Sequence, residues 1–533
     1  MVIGFFMILV DTTIVSVATP AIRSALETDY NTVIWVTSAY LLAYAVPLLI
    51  TGRLGDRVGP KNIYLVGLAL FTLASLWCAV TTTVEMLIVA RVFQGLGASM
   101  MTPQTMAVIT RTFPPESRGR AMALWGATAG VATLVGPVLG GVLVDSAGWE
   151  WIFFVNVPVG VIGFVLAWRL VPRLETHAHS FDWVGVALSA AAMFLIVFGI
   201  QEGERYDWGQ ITGIVSVPAL IAAGLVVGAV FLWWQSRVRR EPLVPLELFR
   251  ERNFSVSNAA ISMVSFSVTA MSFPFMLWAQ TARGWSPTES GMLLIPMAVV
   301  TAAMAPIVGR WTDRVAPRLL TSIGFGVSGG SILFMSQTVT PQSPVWLILI
   351  ATALVGLGNA FLWSPLAATA TRRLPMSAAG AGSGVYNATR QIGAVLGSAA
   401  IAAAISSRLA AHLPQAADAG AEGAGPTALP PGAVEPFSTA MSQALLVPAI
   451  AFLLGLLIVQ LFPRPRADPR VQLLRGYGPQ AAVSGAISRH IWRAENQRSH
   501  ITDITGASPR YPWSRRAWKT LQGMLRGSRR SPS

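Results

Sequence analysis

Apolar runs of about 20 residues recur along the whole chain, separated by short polar segments. Each is long enough to cross a ~30 Å hydrocarbon layer at 1.5 Å rise per residue. The runs cover 2–22, 33–51, 63–82, 86–109, 121–143, 151–170, 183–201, 211–235, 254–279, 290–308, 319–338, 345–368, 380–406 and 438–462. They are continuous rather than alternating, which predicts helices and argues against a transmembrane barrel. The pattern predicts an all-α polytopic membrane protein of fourteen spans. Residues 413–436 are rich in Ala, Gly and Pro without apolar periodicity, and they and the segment after about residue 465 are expected to be disordered. Within that last segment, "WRAENQRSHI" and "RRAWKTLQGML" have the composition of short basic amphipathic helices on a lipid surface.

Composition sharpens this picture. Only 12% of the 533 residues are charged, against about 25% in soluble domains. Loops after even-numbered runs hold 17 Lys and Arg and loops after odd-numbered runs hold 4, so the even side is cytoplasmic and both termini lie inside. The net charge is +14, and 14 Lys and Arg against 3 Asp and Glu lie from Arg464 onward. In a membrane protein such a tail reads as a cytoplasmic segment beside the anionic inner leaflet rather than a nucleic-acid site. The first run lacks a basic lead and a small-residue cleavage site, so it reads as a retained helix. No basic residue precedes Asp11, and a short basic segment upstream is expected in the natural protein. Cys78 is the lone cysteine and reads as a small core residue. All five histidines fall in loops or the tail, so no metal-ligand pair lies within a span, and neither lysine belongs to a phosphate loop. These absences argue against a membrane-embedded enzyme.

One charged ten-mer occurs twice: "GRLGDRVGPK" at 52–61 and "GRWTDRVAPR" at 309–318. The copies follow the second and the tenth span, eight spans apart where duplicated six-span halves would place them six apart. Two extra spans, roughly 182–253, therefore sit between the halves. The organisation expected is a six-helix half (1–175), two inserted spans with a linker (176–253), a second six-helix half (254–462) and a basic tail (463–533). Duplicated halves around a midplane site are the build of secondary transporters.

Several motifs in order resemble the major facilitator superfamily, and more narrowly its fourteen-span drug:proton antiporters, the EmrB/QacA-like branch. "DTTIVSVATPAI" (11–22) is similar to the branch's first-helix signature, and "GRLGDRVGPK" to the superfamily's loop motif. "RVFQGLGASM" (91–100) and "GATAGVATLVGPVLGG" (126–141) resemble the fourth-span and fifth-span motifs. "WEWIFFVNVPVG" (149–160) and "SGVYNATRQIGAVLG" (383–397) also match, with Glu150 standing where an arginine is usual. The resemblance implies the major facilitator fold, two six-helix halves with two inserted central helices.

Charges inside spans carry the candidate chemistry. Asp11 lies about 15 Å from the outer end of its helix, and intramembrane carboxylates mark ion or proton pathways. It is the expected proton carrier. Arg91, about 10 Å deep in the fourth span, approaches Asp11 if both spans line the cavity, as the resemblance implies, with Gln94 sharing the network. Arg390, buried with no acidic residue near mid-depth in its own half, is expected to clamp the two halves through carbonyls, Gln391, Asn387 or charge from the first half. In the loop motif, Gly52, Gly55 and Gly59 suit a tight turn and close helix approach. Asp56 suits the positive N-terminus of another helix, with "SAAGAGSG" of the thirteenth span the place small enough to admit it. The resemblance implies that this contact latches the cytoplasmic side, with Arg57 and Lys61 holding neighbouring loop and helix ends. Asp313 and Arg314 repeat the pattern, where Thr312 and Ala316 replace glycines. Gly126, Gly130, Gly136, Gly140 and Gly141, with Pro137, suit close packing and a pivot in the fifth span.

Tyr40, Phe273, Phe275, Trp278, Asn359 and Trp363, with Gln94, are the expected cavity lining, suited to flat, lipophilic or cationic compounds. The function expected is proton-coupled antiport of amphiphilic or cationic drugs and toxic compounds by a monomer in the plasma membrane, driven by the proton gradient with no cofactor or metal. With one deep acid, monovalent cations and neutral lipophiles should be exported and divalent cations poorly. Export of one endogenous lipid, peptide or metabolite by the same machine stays open as an alternative.

Overall fold

The computed structural model describes residues 1–463 apart from 29, 115–116, 175, 177–181, 204–205, 207, 214, 239–241 and 414–430. The tail from Arg464 and most of 413–436 lie outside the described residues, as do the disorder and amphipathic helices expected there. Among the described residues, 11 helices are long and apolar enough to cross a membrane, or up to 13 when each of two bent pairs counts as one span.

The first half comprises α1 (Val2–Ala25), α2 (Tyr30–Ala45), α3 (Leu48–Val58), α4 (Pro60–Ala79), α5 (Val84–Thr112), α6 (Arg118–Ala147), α7 (Trp151–Phe154) and α8 (Asn156–Leu170). Between the halves run α9 (Trp183–Gln201) and α10 (Val217–Arg237). The second half comprises α11 (Arg252–Thr281), α12 (Pro287–Met292), α13 (Ile295–Thr312), α14 (Pro317–Thr338), α15 (Val345–Thr371), α16 (Ala379–His412), α17 (Val434–Ala444) and α18 (Leu446–Val459).

Several spans are broken, and proline explains the breaks. Pro47 caps α3 after a bend of 46° from the preceding helix. Pro158 and Pro448 lack the N–H that would bond the carbonyls of Phe154 and Ala444, where α7 and α17 end. Side-chain caps fix the starts of other helices. Thr83 accepts from Met86 N, Asp182 from Gly185 N, and Ser216 from Ala219 N. Ser286 and Glu289 form a reciprocal capping box before α12.

Two expectations need correction. The eighth apolar run does not begin as helix at 211. A short antiparallel ribbon, β1 (Gln210–Thr212) with β2 (Val215–Ser216), occupies its start, turning through Gly213 at φ +53°. The charged ten-mer is also largely helical rather than a loop, because α3 continues through Val58. Only Gly59, at φ +98°, makes the turn. Gly52 and Gly55 serve close approach instead, since a Cβ on them would lie 2.7 Å from Gly380 O and 1.9 Å from Gln104 Oε1.

Within the first half, α4 packs on α5 and α8, α2 on α5, and α1 on α6; within the second, α14 packs on α15 and α18, and α11 on α16. Two seams join the halves. One sets α6 against α13 and α15, and the other sets α3 and α5 against α16. The inserted α9 packs on α10 but also touches α2 and α16. There Leu42, Ala45, Met193, Val197 and Val395 form one apolar cluster drawn from both halves and the insert.

Candidate functional site

Two fully buried charges meet inside the first half. Asp11, on α1, and Arg91, on α5, both have no exposed surface. Arg91 Nη1 donates to Asp11 Oδ2 at 2.5 Å and to Gln94 Oε1 at 2.6 Å, and its Nε donates to Val36 O at 3.0 Å. Gln94 Nε2 donates to Asp11 Oδ1 at 2.8 Å and to Ser75 Oγ at 2.6 Å. Asn156 Nδ2 lies 3.2 Å from the same Oδ1 and 3.4 Å from Ser75 Oγ. The guanidinium of Arg91 sits 4.0 Å from the Tyr40 ring centroid and 5.7 Å from that of Phe153, a favourable place for a desolvated cation. One guanidinium and two amides thus converge on a single carboxylate. The network ties α1 directly to α5 and α8, and through Ser75 to α4.

Asn156 and Ser75 were not singled out in the sequence. Asn156 lies inside "WEWIFFVNVPVG", where a lone amide in an apolar run was the available signal. Tyr40 is placed otherwise than expected: fully buried, it stacks on Arg91 and donates to Ile8 O at 3.4 Å.

A cavity of about 140 Å³ opens between the halves, lined among others by Phe5, Ser265, Thr301, Asn359, Trp363 and Arg390. Of the expected lining residues only Asn359 and Trp363 reach it. Gln94 belongs to the Asp11 network. Phe275 and Trp278 are fully buried and absent from its lining, and Phe273 is 55% exposed on the outside of α11. Apolar spacing marks aromatic positions, but helix rotation decides which way each one points. Arg390 Nη2 donates across the halves to Tyr44 Oη at 3.0 Å, and that hydroxyl donates to Thr102 Oγ1 at 3.2 Å. The clamp contact is therefore neutral rather than ionic, and neither Gln391 nor Asn387 takes part.

The arginine-rich side carries the other cross-half contacts. Asp56, fully buried, accepts from Gly380 N and Ala381 N at 2.8 Å each, at the first turn of α16. It also pairs with Arg111. Arg118 donates to Thr371 O of the second half and to Thr110 O at 2.6 Å. Lys61 Nζ donates to Trp168 O and Val171 O at 2.7 and 2.6 Å, at the end of α8, while Arg57 is exposed. In the second copy, Asp313 Oδ1 accepts from Gly119 N at 2.8 Å at the first turn of α6, and Arg314 is exposed. Burial holds the Asp313 carboxyl above its ordinary range, against the opposing pull of the Gly119 N–H and Arg120. The two copies thus dock on the N-termini of α16 and α6, one in each half.

The glycines of α6 divide among three neighbours, α1, α12 and α15. A Cβ on Gly136 would lie 1.8 Å from Thr13 Oγ1, and one on Gly140 would lie 2.8 Å from Ile14 Cγ1, both on α1 beside Asp11. Gly126 instead faces Trp363 of the second half, and Gly141 faces Thr288. Gly130 and Pro137 fall within α6, but what each faces lies outside the described residues.

The family profile described as Major Facilitator Superfamily matches residues 1–398 and 258–508. The chain is 50% identical over 460 residues to an uncharacterised MFS-type transporter of Mycobacterium tuberculosis (strain ATCC 25618 / H37Rv), covering 86% of this chain and 79% of that one. It is 33% identical over 409 residues to the tetracenomycin C resistance and export protein of Streptomyces glaucescens, covering 76% and 75%. It is 32% identical over 413 residues to the multidrug resistance protein Stp of Mycobacterium tuberculosis (strain CDC 1551 / Oshkosh), covering 77% and 76%. Among solved structures, the human organic anion transporter MFSD10 superposes with a TM-score of 0.58 at 11% identity, over 86% of this chain and 98% of that one. That likeness concerns the fold alone.

Proposed function

This chain belongs to the major facilitator superfamily, and from that premise we propose that it is a drug exporter that moves amphiphilic small molecules out of the cell in exchange for protons. Relatives named for drug and antibiotic resistance and export support the export reading. The observation that carries the proton-coupled reading is the buried network around Asp11. A carboxylate with no exposed surface, held by Arg91, Gln94 and Asn156 beside the α1–α6 contact, is suited to convert proton binding into helix movement. Asp11 is the proton carrier in this reading, and Asp56 and Asp313 are the latches that hold the arginine-rich side closed. The proton gradient is the only energy source, with no cofactor.

The same reading counts α6 as a span. Its 30 residues reach about 45 Å, and adding it to the 13 counted with bent pairs gives the fourteen of the antiporter branch. The protein would lie in a bacterial inner membrane as a monomer with both termini cytoplasmic, its basic tail against anionic lipid.

Proteoliposomes with an imposed pH gradient test this. A panel of amphiphiles should be moved by wild type, and Asp11→Asn should lose at least about tenfold of the gradient-driven flux while still exchanging substrate down its own gradient. Gradient-driven flux that survives intact in Asp11→Asn removes the coupling role.

A further inference from the structure

We propose that the cavity between the halves accepts the anionic group of an aromatic monoanion, a carboxylate or phenolate, against Arg390. The inference rests on the export reading and names the substrate class of that site.

The charge balance of the two halves is unequal. Arg91 has its counter-charge in Asp11 at 2.5 Å. Arg390 is 93% buried, and among the described residues it has no acidic partner. Its one hydrogen bond runs to the neutral Tyr44 hydroxyl, and its Nε donates to nothing. A buried guanidinium left uncompensated is costly, and such groups inside membranes line ion or substrate paths. No lining residue of the cavity is acidic. Two further buried polar atoms in its wall lack partners, Ser265 Oγ and Asn359 Oδ1. The cation and the hydroxyl therefore await a ligand that brings acceptors and negative charge, the opposite of the cationic substrates expected from the aromatic positions, while Asn359 Oδ1, itself an acceptor, suits a donor elsewhere on that ligand.

The rest of the wall selects an aromatic body. Phe5 stacks on Trp125 at 4.7 Å, and Trp125 meets Trp363 edge-on at 6.3 Å. Phe5 and Trp363 both reach the cavity. A flat ring could extend this stack while its acidic group turns to Arg390. A cavity of about 150 Å³ with apolar walls takes benzene, so the space of about 140 Å³ here suits one ring with a small substituent. A guanidinium meets a carboxylate through paired N–H donors, which gives geometric as well as charge selection.

Three single-ring probes of similar size decide it: benzoate, benzamide and benzylammonium. Equilibrium binding to the full chain in lipid nanodiscs should rank benzoate at least about tenfold tighter than the ammonium compound. Arg390→Gln should lower the benzoate-to-benzamide affinity ratio at least about tenfold, and Arg390→Lys should lower it less. A cation bound as tightly as the anion, an absence of benzoate binding, or an unchanged ratio in Arg390→Gln overturns the proposal. Should Arg390→Gln not fold, the wild-type ranking alone decides between anion and cation. Flux in pH-gradient vesicles separates this inference from the export reading. If wild type moves none of the three, export itself fails; if it moves the amide without preferring anion over cation, only the anion site fails.

Discussion

Asp11 stands out in the sequence because a carboxylate inside an apolar run is expensive enough to need a reason. Its partners differ in how visible they are. Arg91 is a charge in a span and could be found the same way. Ser75 and Asn156 are neutral polar residues of a kind that occurs along many spans, so nothing marks them until α4, α5 and α8 are folded together. Asn156→Ala should remove one donor from Asp11 and cost about 1–2 kcal/mol. The check is a lowered midpoint of thermal unfolding in detergent together with slower gradient-driven flux; an unchanged midpoint with full flux would make Asn156 a bystander. Arg111 and Arg118 read as generic positive-side charge for a similar reason. Their partners Asp56 and Thr371 lie 55 and 253 residues away in the chain. Asp56→Asn should leave the protein folded but weaken the grip on α16. Helix-terminus electrostatics are worth roughly 0.3–2 kcal/mol, so a balanced open–closed equilibrium should move several-fold. A cysteine placed at Ala381 in a Cys78→Ser background should then react faster with a thiol reagent; equal rates would reduce Asp56 to a turn residue.

At the scale of helices, apolar run length predicts where spans lie but not where they break or rotate. The proline-marked interruptions at Val155 and Leu445 each split one apolar run into two helices. The glycine-rich α6 is legible as a packing helix, yet four-residue spacing alone does not say which neighbour each glycine meets. In the fold, Gly136 and Gly140 face α1 while Gly126 faces α15. Thr13 is pinned there, its hydroxyl donating to Leu9 O and Val10 O. Gly136→Ala should therefore push α1 from α6 and cost about 1–3 kcal/mol. Adding Thr13→Ala to Gly136→Ala should recover much of that loss, a coupling measurable as the departure from additivity in thermal unfolding. Strict additivity would place the strain elsewhere.

For the whole molecule, the repeated ten-mer and the charge bias carried most of what the sequence offered: duplicated halves, an inserted pair and an orientation. The insert's role was not legible, because its helices are uniformly apolar. In the fold, α9 touches α2 and α16 together, so it packs on elements of both halves at once. The orientation is open to direct test. In a Cys78→Ser background, Ala421→Cys should be labelled in intact cells by an impermeant thiol reagent and Ser531→Cys should be protected. The reverse pattern would invert the assignment.

The unpaired guanidinium at Arg390 has an electrical consequence. If one proton enters for each monoanion that leaves, every turn of the cycle carries two positive charges inward. Membrane voltage contributes about 2.3 kcal/mol per charge per 100 mV, so each turn would draw on it twice. Such an exporter would keep running in a medium as alkaline as the cytoplasm, where an exchange of one proton for one cation would stall.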